Sequence, residues 1–162
     1  MRSISETGWT GWTGWTAALH HITTSPHNMT FYYPAKIWLA FGETFAGNQQ
    51  IVDWLINNGY PEVAALSHAM RGSDDAFSWL MANGFPHLAA LDSAVTSEDP
   101  NAYQWLRVNK HLFLIVFADA CKGQPAAIGW FRKHKLDAFL MIAGKIKKFC
   151  DSQTFDYHKK QF

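Results

Sequence analysis

Ala76-Phe77-Ser78-Trp79-Leu80-Met81-Ala82-Asn83-Gly84-Phe85-Pro86 decides the fold, because nearly every feature of it recurs along the chain. Trp54-Leu55, Trp79-Leu80, Trp105-Leu106 and Trp130-Phe131 place tryptophans 25, 26 and 25 residues apart. Three residues ahead of each stands Ile51, Ala76, Ala102 or Ala127, and seven ahead stands Gly47, Gly72, Glu98 or Gly123. Four residues after each come Asn58, Asn83, Asn109 and His134. Gly59-Tyr60-Pro61 and Gly84-Phe85-Pro86 follow, and the pattern loosens to Lys110-His111-Leu112 in the next copy. Fixed-period self-similarity of this kind is the mark of a repeat architecture.

Positions i, i+3 and i+4, here Ala76, Trp79 and Leu80, lie on one helical face. Asn-Gly just beyond that face supplies a left-handed C-cap, and Pro61 and Pro86 fit the first turn of the next helix. The second helix of each unit carries Val63, Leu66 and Met70 in one copy, and Leu88, Leu91 and Val95 in the next. Ser73-Asp74-Asp75 and Glu98-Asp99-Pro100 then open another helix with caps and acids. The spacing predicts helices over 34–46, 49–58, 61–71, 74–83, 86–96, 100–109, 112–121, 125–133 and 136–149. The fold class is all-α: an α-solenoid of tandem helix-turn-helix repeats of about 25 residues. A leader (1–32) precedes the repeat domain (33–150), and a polar tail (151–162) follows it. Spacing beside leucine assigns the four repeated tryptophans to the core. Leu112–Cys121, apolar on nearly every side, is expected to be the most buried helix.

Pro61-Glu62-Val63-Ala64-Ala65 and Pro86-His87-Leu88-Ala89-Ala90, each followed by a polar turn and then by Ala-x-x-Trp-Leu-x-x-Asn-Gly or its variant, resemble the helical part of ankyrin repeats. The resemblance covers roughly residues 33–145 and implies a protein-binding scaffold. The chain departs from that family after Asn58-Gly59 and Asn83-Gly84, where the next helix starts at once. No room is left for the β-turn finger through which ankyrin repeats largely bind.

The 162 residues are 48% hydrophobic and 17% charged, a globular composition that fits one domain. Met1–Glu6 leads into no apolar run, so no signal peptide is expected, and Leu112–Ala118 is too short to span a bilayer. A cytoplasmic protein is expected, with no membrane contact. Cys121 and Cys150 make no disulfide framework. Charge is uneven: residues 41–102 hold eight acids against Arg71, and residues 123–162 hold eight bases against Asp137, Asp151 and Asp156.

The tract Gly8-Trp9-Thr10-Gly11-Trp12-Thr13-Gly14-Trp15-Thr16 reads as a low-complexity leader. In polyproline II geometry its period would align Trp9, Trp12 and Trp15 as a docking strip. The basic end, led by Arg132, Lys133 and Lys135, is the candidate contact for nucleic-acid phosphates, and only weak, non-specific binding is expected of it. His20, His21, His27, His87, His111, His134 and His158 show no metal-ligand spacing. Neither a metal nor any other cofactor is expected. Ser67-His68, Ser73-Asp74-Asp75 and Cys121 are the nucleophile candidates, without a Gly-x-Ser-x-Gly elbow. Gly144-Lys145 lacks the rest of a phosphate loop. The leading functional expectation is a non-catalytic protein–protein interaction scaffold. The alternatives are nucleic-acid binding through the basic end, and an enzyme with its site near the His-rich segment 19–33.

Overall fold

Local capping chemistry sets the helix boundaries. The computed structural model describes residues 32–159, with side chains through Gln153. Among these residues all regular structure is helical: α1 (Ala35–Thr44), α2 (Gln49–Asn57), α3 (Pro61–Met70), α4 (Asp74–Ala82), α5 (Pro86–Thr96), α6 (Pro100–Val108), α7 (Leu112–Cys121), α8 (Pro125–Lys133) and α9 (Asp137–Lys159). Asn48, Ser73 and Asp99 cap α2, α4 and α6 through their side-chain oxygens. At the other end of these helices the repeated asparagine closes the last turn. Asn58, Asn83 and Asn109 each donate from Nδ2 to the carbonyl of the tryptophan four residues earlier, at 2.7, 2.8 and 2.9 Å. His134 makes the equivalent bond to Trp130 through Nδ1 at 2.8 Å.

Each turn into the following helix is built alike. The amides of Tyr60, Phe85, His111 and Leu136 donate to Leu55, Leu80, Leu106 and Phe131, a six-to-one closure of the helix end. That closure needs a left-handed residue. Gly59 and Gly84 supply it at φ of 86° and 88°, and Lys110 and Lys135 hold it at 61° and 57° despite their side chains. The turn keeps one geometry with or without glycine.

The odd-numbered helices α1, α3, α5, α7 and α9 pack successively side by side, and α2, α4, α6 and α8 lie outside, each against its two chain neighbours. The even helices bury only a narrow strip, so neighbours must cover the apolar faces, as a repeat array requires. The array also curls until its ends meet, because α9 packs on both α7 and α1. Trp38 of α1 sits edge-on to Phe139 of α9 at 5.5 Å, and Phe45 lies 5.5 Å from Phe149. Gly42 lets the two backbones close together: a Cβ there would lie 3.1 Å from Ile142. Glu43 and Lys145 pair across the same seam. The centre is filled by rings, with Trp38 at 6.1, 5.4 and 5.5 Å from Phe113, Phe117 and Phe139.

Two packing expectations are corrected. The most buried helix is α5, in which every residue from Pro86 to Val95 is buried, whereas Leu112 of α7 is 61% exposed. Apolarity is not the cause. Helix α5 is enclosed by α3, α4, α6 and α7, and its small residues Ala89, Ala90, Ser93 and Ala94 admit close neighbours. The repeated tryptophans border the core and do not fill it, with Trp54, Trp105 and Trp130 packed against it. Leu55, Leu80, Leu106 and Phe131 are fully buried, while Trp79 is 37% exposed and Trp54, Trp105 and Trp130 are half-buried. One helical position, a rotation of about 100°, separates the buried residue from the tryptophan at the edge of the same face.

The last helix continues to Lys159, beyond the predicted end at 149. Lys147 pairs with Asp151 one turn on at 2.6 Å, a spacing that supports helix past the apolar stretch.

Candidate interaction surface and cavity

The inner helices α1 and α9 run parallel, as the pairings Trp38–Phe139, Gly42–Ile142 and Phe45–Phe149 show. The hairpin connectivity brings the starts of all five inner helices to one end of the molecule and their ends to the other.

At the first end, aromatic rings from successive turns stack. Trp79 lies on Phe85 at 6.0 Å and 7°, and Trp105 lies on His111 at 5.6 Å and 9°. His111 stacks on His87 at 5.4 Å, and Tyr32 stacks on His87 at 5.5 Å. The Tyr32 hydroxyl meets His111 Nδ1 at 2.6 Å. Tyr32 holds a left-handed φ of 68°, which turns both it and Tyr33 toward this end. Tyr33 hydrogen-bonds to Glu62, and burial raises both groups above their ordinary pKa values. Burial, helped by the neighbouring His111, lowers His87 to about 3, so it is a neutral packing ring at neutral pH.

The rim of this end is basic. Arg132, Lys133 and Lys135 are exposed at the close of α8, and Arg107 and Lys110 are exposed at the close of α6. The tryptophans stand just inside this rim, with His134 stacked on Trp130 at 4.2 Å and the Lys36 ammonium 4.8 Å from the Trp54 ring. Ile56, Val108 and Leu112, at 49, 66 and 61% exposure, are the large apolar side chains beside them in sequence. The structure thus places Arg132, Lys133 and Lys135 beside a partly buried aromatic series at the border of the core. Trp9, Trp12 and Trp15, with His20, His21 and His27, lie outside the described residues, as does nearly all of the candidate segment 19–33.

At the opposite end, Ser67 donates to Thr44 at 2.7 Å, and Thr44 donates to the Phe41 carbonyl at 2.6 Å. Arg71 donates to the Thr44 carbonyl and lies over Phe45 and Phe149, 5.9 and 5.6 Å from their centres. The nucleophile candidates are thereby separated: Ser67 is committed to Thr44, Ser73 caps α4, and Cys121 is buried. Lys145 of the Gly-Lys pair is held by Glu43.

Beside this end lies a cavity of about 510 Å³ between the ends of α5 and α7 and the middle of α9. Met70, Val95, Cys121 and Phe149 give it apolar walls, and Lys122, Lys147, Glu98 and Asp151 give it charges of both signs. Cys150 also opens onto it. Motif spacing alone does not join the two cysteines. The signal was present, however: the repeat partner of Cys121 is Ile146, and Cys150 stands one helical turn beyond that on the same face. No group of three or more His, Cys, Asp or Glu among the described residues is arranged to hold a metal ion. None of the described helices is long and apolar enough to cross a membrane.

Comparison with protein-family models, with curated sequences and with solved structures returns no match. The class rests on the architecture: an all-α helical repeat protein.

Proposed function

We propose that the chain is a non-catalytic helical-repeat scaffold that binds another protein through the aromatic edge of its outer helices. The observation that carries this reading is the position of Trp54, Trp79, Trp105 and Trp130, set at the border of the core at the repeat interval and partly open to solvent, each in a helix end closed by its own cap. Tryptophan at a surface offers a large contact area at small entropic cost and is enriched at binding hot spots. Ile56, Val108 and Leu112 extend the apolar area, and the basic residues supply a polar rim.

The test substitutes Ile56→Glu, Trp79→Glu and Val108→Glu together and compares the protein with wild type by crosslinking and capture in its native cell. The same circular dichroism with loss of the partner captured by wild type supports the reading. Retention of that partner, or capture of none by wild type, overturns it.

A second reading is favoured by one observation, the clustering of Arg107, Lys110, Arg132, Lys133 and Lys135 on a rim with stacked aromatics. Nucleic acid would be gripped there through phosphates, weakly and in a salt-sensitive manner. Reversing Arg132, Lys133 and Lys135 to glutamate should abolish such binding. Equal retention of single-stranded RNA or DNA by the reversed protein removes this reading.

A further inference from the structure

The chain holds two cysteines, 29 positions apart, and both line one cavity. Cys121 closes the last turn of α7, and Cys150 lies on α9, which packs against it. The Lys147 side chain of α9 lies against the turn that ends α7. A Cβ added to Gly123, two residues after Cys121, would lie 2.9 Å from Cε of Lys147, which is three residues before Cys150. Both residues are thiols, Cys121 buried and Cys150 half-buried and open to the cavity. The cavity has room for a small organic molecule, and a ligand carrying both carboxylate and ammonium groups would bind by exchanging with the Lys147–Asp151 and Lys122–Asp119 pairs at its edge, beside Glu98.

We infer that Cys121 and Cys150 form a thiol–disulfide exchange site, oxidised to an intramolecular disulfide by a low-molecular-weight zwitterionic disulfide of the glutathione type. The accessible Cys150 loses its proton to solvent, and its thiolate attacks one sulfur of the small disulfide. One S–S bond breaks as another forms, and the first small thiolate leaves and is protonated. Cys121 then deprotonates, attacks Cys150 Sγ and expels the second small thiol. In balance, two protein thiols and one small disulfide become one protein disulfide and two small thiols. The product bridges α7 to α9, next to the seam that closes the array.

Reactivity has a definite pH dependence. Burial raises the Cys121 thiol well above its ordinary value, and Cys150 adds to the rise. Cys150 is raised by burial and by Asp151 and Asp92, against a lowering by Lys147. Lys122, at the end of α7, lowers Cys121, and Glu98 lines the cavity from the α5–α6 turn. Exchange is therefore slow at neutral pH, and its rate increases about tenfold per pH unit as the thiolate fraction grows.

The experiment incubates the native full chain with glutathione disulfide at several pH values and quenches with N-ethylmaleimide. Peptide mapping by mass spectrometry follows. The expected result is a Cys121–Cys150 bridge with neither thiol alkylated, formed faster at higher pH. Removal of excess reagent should leave the melting midpoint higher by roughly 10 °C, a shift reversed by dithiothreitol. Cys150→Ser should abolish both bridge and shift. Because the wild-type map needs no variant, a misfolded substitution does not obscure the outcome. Three results overturn the inference: a glutathione adduct on Cys150 that Cys121 never displaces, a crosslinked dimer, or both thiols still alkylated.

Discussion

Lys110 occupies a turn that its own sequence repeat assigns to glycine, and Lys110→Gly should stabilise the protein. The hydrogen bonds at this turn match those at Gly84: His111 donates to Leu106 at 2.8 Å, and Phe85 donates to Leu80 at 2.9 Å. The φ values, 61° and 88°, both lie in the left-handed region. For a residue with a Cβ that conformation costs about 1–2 kcal/mol, which glycine avoids. Glycine carries an offsetting entropic cost of about 0.5–1 kcal/mol in the unfolded chain. The Lys110 side chain is exposed, so little packing is lost. The net gain is about 0.5–1 kcal/mol, or roughly 1–4 °C in melting temperature for a domain of this size. Lys135→Gly should match it, and the two should add, being a repeat apart. Gly84→Lys is the reciprocal change and should cost about 1 kcal/mol. Urea titration followed by far-ultraviolet circular dichroism measures all four proteins. A loss of stability in Lys110→Gly, or an unchanged midpoint in Gly84→Lys, would refute the shared left-handed turn.

Leu80→Ala should cost about 3–5 kcal/mol, and Trp79→Ala clearly less, about 2 kcal/mol, since water rather than a cavity replaces a rim side chain; equal costs by urea titration would return Trp79 to the core. Gly42→Val should lose about 1–3 kcal/mol by forcing α1 from Ile142; no change in the urea midpoint would mean that α1 and α9 do not pack closely there. His87 is held to about 3 in the fold against 6.5 unfolded, so its contribution is complete above pH 6.5 and declines as pH falls toward 3. Between pH 6.5 and 5 the loss should be about 1.6 kcal/mol. His87→Phe, which keeps the stacked ring, should flatten that decline when midpoints at the two pH values are compared.

Much of the fold was legible because it is written locally. Caps at Ser73 and Asp99, the asparagines after each tryptophan and the prolines at helix starts act within a turn of their own positions. Repeat spacing then multiplies the same local evidence. What stayed hidden depends on sums over the whole array. Contact between α1 and α9 follows from small rotations accumulated hairpin by hairpin, which no window of sequence contains. Hydropathy likewise ranked α7 above α5, because it records a helix's own side chains and not how many neighbours enclose them. Trp79 and Leu80 occupy adjoining positions on one face, and periodicity alone could not say which of them marks its edge. At the candidate sites, the basic residues were legible as charge. Their company with Trp105 and Trp130 was not, and the two thiols come to one cavity only because α9 returns against α7.

The meeting of α9 with α1 has a consequence for how such a chain can change. An open array can grow or shrink by one unit, since a new hairpin meets the same surface that the old end presented. Here the last inner helix is fitted to the first through Gly42, Trp38 and Glu43, and those contacts hold for one value of the accumulated rotation. Inserting or deleting a 25-residue unit would turn the end helices past each other and strip Trp38 of Phe139. The number of hairpins is thus a closure condition, comparable to strand number in a barrel, and variation is confined to turns, rim and tail.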